Sequence, residues 1–270
     1  MPDARALFSV LEATWPAARS MRAGPFVLRE GRGAGSRVSS ATATGPATAA
    51  DVVAASAAMR GMGQEALYRI GPGDGALDAL LADLGHEMRD PTLNLAAPLG
   101  AVSGEVPPVT AFPHWPPLAV LEDLWTAEGI GAARQGVMAR VAAPRAAILG
   151  RVGDRPAGGA FVAVSGDGAM VHAVAVRAPH RRQGLARILM LSAARWAEAQ
   201  EAGAHLGRWK AAGIRHFRLE FAHESGAQVT AVTEQFEQAL RHGRRVQLPV
   251  ATTEGSLFVP HDYLTFPILQ

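Results

Sequence analysis

One stretch of the chain, residues 171–187, constrains the fold and the chemistry more than any other. It begins as an apolar strand, continues as a short arginine-rich turn, and ends with small residues at the start of an amphipathic helix. The first turn of a helix leaves about four backbone N–H groups unpaired and carries the positive end of the helix dipole. Because Gly184 and Ala186 have little or no side chain, a phosphate can approach these N–H groups closely. The stretch therefore predicts an anion site.

The arginines of this stretch identify the kind of anion. Arg181, Arg182 and Arg187 add positive charge around the helix start, which suits a pyrophosphate. The only lysine in the chain is Lys210, so the Gly-x-x-x-x-Gly-Lys-Ser/Thr phosphate loop is absent. No Gly-x-Gly-x-x-Gly segment stands between a strand and a helix, which excludes the dinucleotide-binding fingerprint.

Composition excludes several classes of protein. Cysteine is absent from the 270 residues, which removes disulfides, thiolate catalysis and cysteine metal sites. No apolar run reaches the ~20 residues that span a bilayer, and the N-terminus lacks the apolar core of a signal peptide. The arginines are scattered and do not alternate with aromatic residues as in an RNA-binding surface. We expect a cytoplasmic enzyme or binding protein that contacts neither nucleic acid nor membrane.

Strand and helix patterns alternate along the whole chain, which predicts an α/β fold. Residues 101–108 form a predicted linker between a first part, 1–100, and a second part, 109–270. The first part has predicted helices at 7–18, 52–62 and 76–84 and predicted strands at 25–30, 37–44 and 66–70. The second part has predicted strands at 109–112, 146–152, 157–164, 169–176, 216–221, 246–251 and 256–266 and helices at 118–128, 131–141, 184–200 and 230–242.

The segment from Arg181 to Ala186, Arg-Arg-Gln-Gly-Leu-Ala, is similar to the Gln/Arg-x-x-Gly-x-Gly/Ala signature of the GNAT superfamily of acetyl-CoA-dependent N-acetyltransferases. The resemblance implies a mixed, mostly antiparallel sheet flanked by helices, of the α+β type. It is best over residues 109–200, while residues 1–100 look like a degenerate half of the same kind. From about residue 201 the chain departs from the family pattern, since the predicted helix 230–242 has no tyrosine and the only asparagine is Asn94.

The resemblance also implies a cosubstrate and a site. Acetyl-CoA would bind without a metal, and a primary amine of a small molecule or peptide would attack the thioester directly. The amides of residues 182–187 would hold the pyrophosphate, and the backbone of 174–176 would pair with the pantetheine arm as an added strand. The positions that match the family as cofactor-binding residues are Val174, Ala175, Val176, Arg181, Arg182, Gln183, Gly184, Leu185, Ala186 and Arg187. A homodimer is compatible with this interpretation.

His172 is the candidate general base, because it lies on the strand that leads to the thioester, near where several family members carry a glutamate. The ordinary pKa of histidine suits proton transfer near neutrality. The alternative is a histidine packed or solvated on the strand. Tyr263 is a candidate for the acid that protonates the thiolate. The spacing of His216, His223 and His261 fits no helix or hairpin pair of metal ligands, so we predict no metal site.

Three functions remain open at this point. The first is an N-acetyltransferase that uses acetyl-CoA. The second is a coenzyme A-binding sensor or scaffold module without turnover. The third is a structural α/β protein that binds a partner and whose arginine-rich turn holds only sulfate or phosphate.

Overall fold

A computed structural model describes residues 3–166, 168–198 and 225–242 of the chain. The chain divides into two compact units, Met1–Ala194 and Arg195–Gln270. The described helices are α1 (Ala4–Thr14), α2 (Ser36–Ser39), α3 (Ala49–Gly61), α4 (Gly75–Asp83), α5 (Ala119–Ala127), α6 (Ala132–Arg140), α7 (Leu185–Glu198) and α8 (Gly226–His242). The described strands are β1 (Arg19–Ala23), β2 (Phe26–Glu30), β3 (Thr42–Ala43), β4 (Ala111–His114), β5 (Arg145–Val152), β6 (Arg155–Ser165) and β7 (Gly168–Val176).

Strands β1, β2 and β3 form a small antiparallel sheet in that order. Its core is made with α3 and α4 and consists of Phe26, Leu28, Ala41, Val52, Ala55, Met59, Leu77 and Leu81. Helix α3 begins at a capping box, in which the Thr48 hydroxyl accepts from the Asp51 amide and the Asp51 carboxylate accepts from the Thr48 amide. The predicted helices at 52–62 and 76–84 are therefore confirmed, and α3 starts three residues earlier than predicted.

Two predictions for this sheet are wrong. The segment predicted as a strand at 37–44 contains the short helix α2, and only Thr42 and Ala43 are strand. Val38 alone is buried in α2, so no alternating apolar face holds these residues in a sheet. Strand β1 was missed because it is polar and largely exposed, with two arginines. The predicted strand 66–70 is a single bridge between Tyr68 and Ala41.

The larger sheet is antiparallel throughout, in the order β4-β5-β6-β7, which confirms a mixed fold with antiparallel sheets and flanking helices. Its core receives side chains from α5, α6 and the strands. Helix α1 also packs on β6 and β7, so Trp15, Ala34 and Val38 from the first part of the chain join the same core. In the sequence, the predicted linker at residues 101–108 comes after the strands of the small sheet and before those of the larger sheet. The predicted division into residues 1–100 and 109–270 remains a prediction.

The remaining predicted elements divide between described and undescribed residues. Helix α7 confirms the helix predicted at 184–200 as far as Glu198, and α8 confirms the one predicted at 230–242 with an earlier start at Gly226. The strands predicted at 216–221, 246–251 and 256–266 lie outside the described residues, as do His216, His223, His261 and Tyr263. Within the described ranges, no helix is both long enough and apolar enough to cross a membrane.

Candidate functional site

Strand β7 contains a β-bulge next to His172. Its pairing with β6 is regular at Gly159–Ala175 and again at Phe161–His172, so three steps along β7 match two steps along β6. Ala173 takes up the extra residue with a φ of 51°, in the left-handed region. As a result His172 and Ala175 are both buried, although they are three residues apart.

The carbonyl of the bulge is held by a tryptophan from α5. The indole Nε1–H of Trp125 donates to the Ala173 oxygen at 2.9 Å, and the Trp125 side chain is fully buried. The sequence does not mark Trp125 as part of the site. Its spacing with Leu121 and Leu124 indicates the buried face of a helix, but nothing in that spacing indicates its hydrogen-bond partner.

In the described part of the chain, β7 is the last strand of its sheet and pairs with β6 alone. An unpaired strand edge presents backbone N–H and C=O groups that an extended ligand can bind. Val174 is 41% exposed beside the bulge, and Ala175 turns inward at 9%. Residues 174–176 lie on this edge, and their pairing with a pantetheine arm stays a prediction.

The turn after β7 is open to solvent. A short 3-10 helix, Ala178–His180, leads into an exposed segment, and α7 begins at Leu185, which is 2% exposed and fixes the helix to the core. Gly184 has a φ of 85°, and no atom lies within 4 Å of the place where its Cβ would stand. Arg182 also has a positive φ, of 63°. The turn thus places a bare backbone position directly before the helix.

The side chains of the turn differ in what they contact. Arg181 is engaged within the protein: its Nε donates to the Val176 oxygen at 2.8 Å and its Nη2 to the Glu128 carboxylate at 2.7 Å. Gln183 donates to the Pro179 oxygen at 3.1 Å, which braces the turn on itself. Arg182, Ala186 and Arg187 are exposed around the helix start. Arg181 therefore fastens the turn, while the other arginines stay accessible.

His172 is enclosed rather than open to substrate. It is 3% exposed, its Nε2 lies 3.0 Å from the Thr14 hydroxyl, and its ring stacks on Trp15 with centroids 4.8 Å apart. Burial first, and the positive charge of Arg37 second, lower the pKa of His172 from 6.5 to about 3. The ring is neutral at physiological pH. This environment favours the packed-histidine alternative, and a role as general base remains a prediction.

The structure brings together the bulged edge of β7, the open turn and the start of α7, and it leaves His172 behind this edge in the core. Among residues 3–166, 168–198 and 225–242, no group of three or more histidine, aspartate or glutamate side chains could hold a metal ion.

Comparison with known proteins gives two matches. Residues 112–214 match the acetyltransferase (GNAT) family. Among solved structures, the chain is similar to a GCN5-related N-acetyltransferase from Kribbella flavida, with 21% identity over 72% of this chain and 80% of that chain and a TM-score of 0.45. No curated protein matches the chain. The family match begins in β4 and includes the bulged strand, the turn and α7, so it covers the region in which the candidate site lies.

Proposed function

We propose that the protein is an N-acetyltransferase that transfers the acetyl group of acetyl-CoA to a primary amine of a small molecule or peptide. The observation that carries the proposal is the bulged edge of β7, which pairs with β6 alone among the described strands, followed by the open turn at Gly184. The edge of β7 can align the part of acetyl-CoA that carries the thioester, and the turn can hold the pyrophosphate of the same molecule.

The residues of the turn fit a pyrophosphate. The start of α7 offers unpaired backbone N–H groups and the positive end of a dipole. The space beside Gly184 is empty, so a phosphate oxygen can approach the main chain there. Arg182 and Arg187 are exposed on either side of this point and can add charge-assisted hydrogen bonds.

The edge of β7 fits the other end of the cosubstrate. Acetyl-CoA, when bound, supplies a thioester carbon that an amine can attack. The backbone at 174–176 would orient this group, and an amide at the bulge would stabilise charge that develops on its oxygen. The amine nitrogen forms the new C–N bond, the C–S bond breaks, and the proton lost by the amine is balanced by protonation of the departing thiolate.

The enclosure of His172 favours a second candidate function. A base must reach the amine directly or through a water molecule, and His172 is neither exposed nor free of a hydrogen-bond partner. A coenzyme A-binding sensor or scaffold without turnover needs the turn and the strand edge but no base. The cytoplasmic localisation and the homodimer expected from the sequence remain part of the proposal in either form.

Thermal unfolding with coenzyme A is the first test. Coenzyme A at about 100 times its dissociation constant should stabilise the protein by about 2.7 kcal/mol. No change in Tm at saturating concentrations would contradict both candidate functions. Thiol release from acetyl-CoA, measured across a panel of amines, then separates the enzyme from the sensor, because only the enzyme releases thiol in proportion to the amine.

A further inference from the structure

A second cationic feature lies in the first part of the chain, away from the 181–187 turn. A cavity of about 230 Å³ is lined by Arg29, Arg37 and Arg69 together with Glu12 and Trp15. Sites for drug-sized ligands usually enclose about 300–1,000 Å³. This cavity, called the arginine cavity below, is therefore suited to a molecule or group of about the size of an amino acid.

Arg29 is buried in the wall of the arginine cavity and is bonded to the protein around it. It is 7% exposed, and its guanidinium forms an ion pair with Glu12. The same group donates to the Ser40 oxygen and to the Thr42 hydroxyl, both at 3.0 Å. Both terminal nitrogens of Arg29 therefore already donate to protein groups, and Arg29 would contribute mainly its charge to a ligand.

Arg69, by contrast, keeps an unused donor. Its Nη2 donates to the Arg37 backbone oxygen at 2.7 Å, and its guanidinium stands over the ring of Phe8. Its Nη1 is buried with no hydrogen-bond partner and lies 3.8 Å from the Glu12 carboxylate. Burial, followed by the charge of Arg29, lowers the pKa of Arg69, and the Glu12 carboxylate opposes this shift.

The charges of the arginine cavity do not cancel. Three guanidinium groups face one carboxylate, Glu12, which is itself half exposed. Buried donors in proteins are almost always satisfied, and arginine is the side chain best shaped to hold a carboxylate through two parallel hydrogen bonds. An anion would supply both the missing charge and the missing acceptor.

The arginine cavity also adjoins the strand that carries the bulge. Trp15 lines the cavity on one side and stacks on His172 on the other, and His172 directly precedes Ala173. The charge of Arg37 also acts on His172. The rings of Trp15 and His172 therefore connect the cavity to the bulge, and an acceptor held in the cavity by its carboxylate would have to extend its amine past Trp15 to reach β7.

We infer that the arginine cavity binds the carboxylate of the acyl acceptor, and that the acceptor is a free amino acid or a molecule of similar size that carries both a carboxylate and a primary amine. Binding of the carboxylate depends on the cavity alone. The statement that the bound molecule is the acceptor rests on the proposed acetyltransferase function.

The test is calorimetric titration of the full chain, without coenzyme A, with free amino acids and with the corresponding amino-acid amides. The free amino acids should bind and the amides should not, because the amides lack the carboxylate. Arg37→Gln should weaken binding by about 10-fold or more, the usual scale for one charge-assisted hydrogen bond. Arg37 is exposed, so this variant should fold.

Two further variants make the titration specific. Arg22→Gln removes an exposed arginine from β1 of the same small sheet and should leave binding unchanged. Glu12→Gln removes the competing carboxylate and should strengthen binding by several-fold. A variant series in which all three substitutions have the same effect would overturn the inference.

The other outcomes decide between sources of the anion. Equal binding of amino acids and amides would overturn the inference, as would tighter binding of inorganic phosphate or sulfate than of every carboxylate tested. Amino-acid binding that is lost in Arg37→Gln, without thiol release from acetyl-CoA, would uphold the cavity as a carboxylate site and contradict the proposed enzyme. Thiol release that requires both the amine and the carboxylate would uphold both.

Discussion

The protein has two groups of arginines, and they are built in opposite ways. The 181–187 turn is a continuous piece of chain, exposed to solvent, with a bare glycine at the start of a helix. The arginine cavity takes its arginines from β2, from α2 and from the segment after α3, so they come from three separate elements between residues 29 and 69. The turn offers mainly backbone N–H groups, whereas the cavity offers guanidinium groups.

This difference decides what each group can recognise. A helix start with small residues accepts a large anion whose remaining atoms extend into solvent, as a nucleotide pyrophosphate does. A small cavity with a buried, unsatisfied donor suits one planar anionic group. We propose that the two features bind the two substrates of one transfer reaction, and substitutions in each can show whether they act separately.

The largest effect is expected for Gly184→Val. The added side chain fills the empty space beside the turn, so coenzyme A affinity should fall by about 100-fold or more, while amino-acid binding in the arginine cavity stays unchanged. Titration with both ligands measures the two effects. Gly85→Val is the matched control, because Gly85 has a similar φ of 82° and equally open surroundings. Coenzyme A binding that survives Gly184→Val would show that the anion site lies elsewhere.

His172 should make the protein sensitive to acid. Its pKa is about 3 in the folded protein and near 6.5 when unfolded, so the unfolded chain takes up the proton first as pH falls. The contribution of neutral His172 to the free energy of unfolding is fully present above a pH of about 6.5. It is lost progressively as the pH falls from there towards the folded pKa of about 3. At about pH 5 the loss is about 2 kcal/mol.

Urea unfolding near neutral pH and at about pH 5 measures this loss. His172→Gln removes the titrating group, so its stability should change less with pH than that of the parent, even if it is lower throughout. The same substitution at His180 leaves His172 in place and should preserve the parent's dependence. If His172→Gln instead alters the pH profile of thiol release and leaves the pH dependence of stability as it was, the imidazole is the general base.

A smaller effect is expected for Trp125→Phe. The substitution keeps an aromatic ring in the core but removes the donor to the Ala173 oxygen, which should lower the free energy of unfolding by about 1 kcal/mol. Coenzyme A affinity should fall several-fold because the bulge loses its support, and binding in the arginine cavity should not change. Full coenzyme A affinity in this variant would mean that the bulge holds its shape without the tryptophan.

The smallest effect is expected for Arg181→Gln. Arg181 is paired with Glu128 on the surface, and exposed ion pairs contribute about 0–1 kcal/mol. Coenzyme A affinity should fall only about threefold, through a looser turn. Glu128→Gln should have a similar effect, and the double variant should be no weaker than either single one. A loss as large as that of Gly184→Val would show that Arg181 contacts the pyrophosphate itself.

The sequence predicts local features of this protein well. The strand, turn and helix of residues 169–198 follow from apolar spacing, a glycine and the helix start, all within one short segment. The bulge cannot be predicted in this way, because Val171–Val176 reads as a continuous strand and nothing marks Ala173 for a positive φ. The mistaken strand at 37–44 has the same cause, since one buried valine does not distinguish a helical turn from a strand.

Features that depend on distant residues are not visible in the sequence. Thr14 and Trp15 meet His172 from a helix more than 150 positions away, and this contact converts a candidate base into a buried neutral ring. The arginine cavity has the same origin, because Arg29 and Arg69 become neighbours only when β2 and the segment after α3 pack together. Residue spacing predicts which side chains of one helix or strand share a face, but it does not predict contacts between residues that are distant in the sequence.

The extra residue in β7 does not change which side chains of the strand are buried. His172 and Ala175 both point inward, one on each side of the bulge, so a strand shorter by one residue would bury the same two side chains on the same face. Packing of the sheet neither demands the additional residue nor forbids it. What it alters is the outline of the edge of β7 opposite β6, where it turns one backbone unit out of line with its neighbours. An extra residue at the bulge therefore changes the shape of the edge of β7 without changing which side chains of the strand are buried.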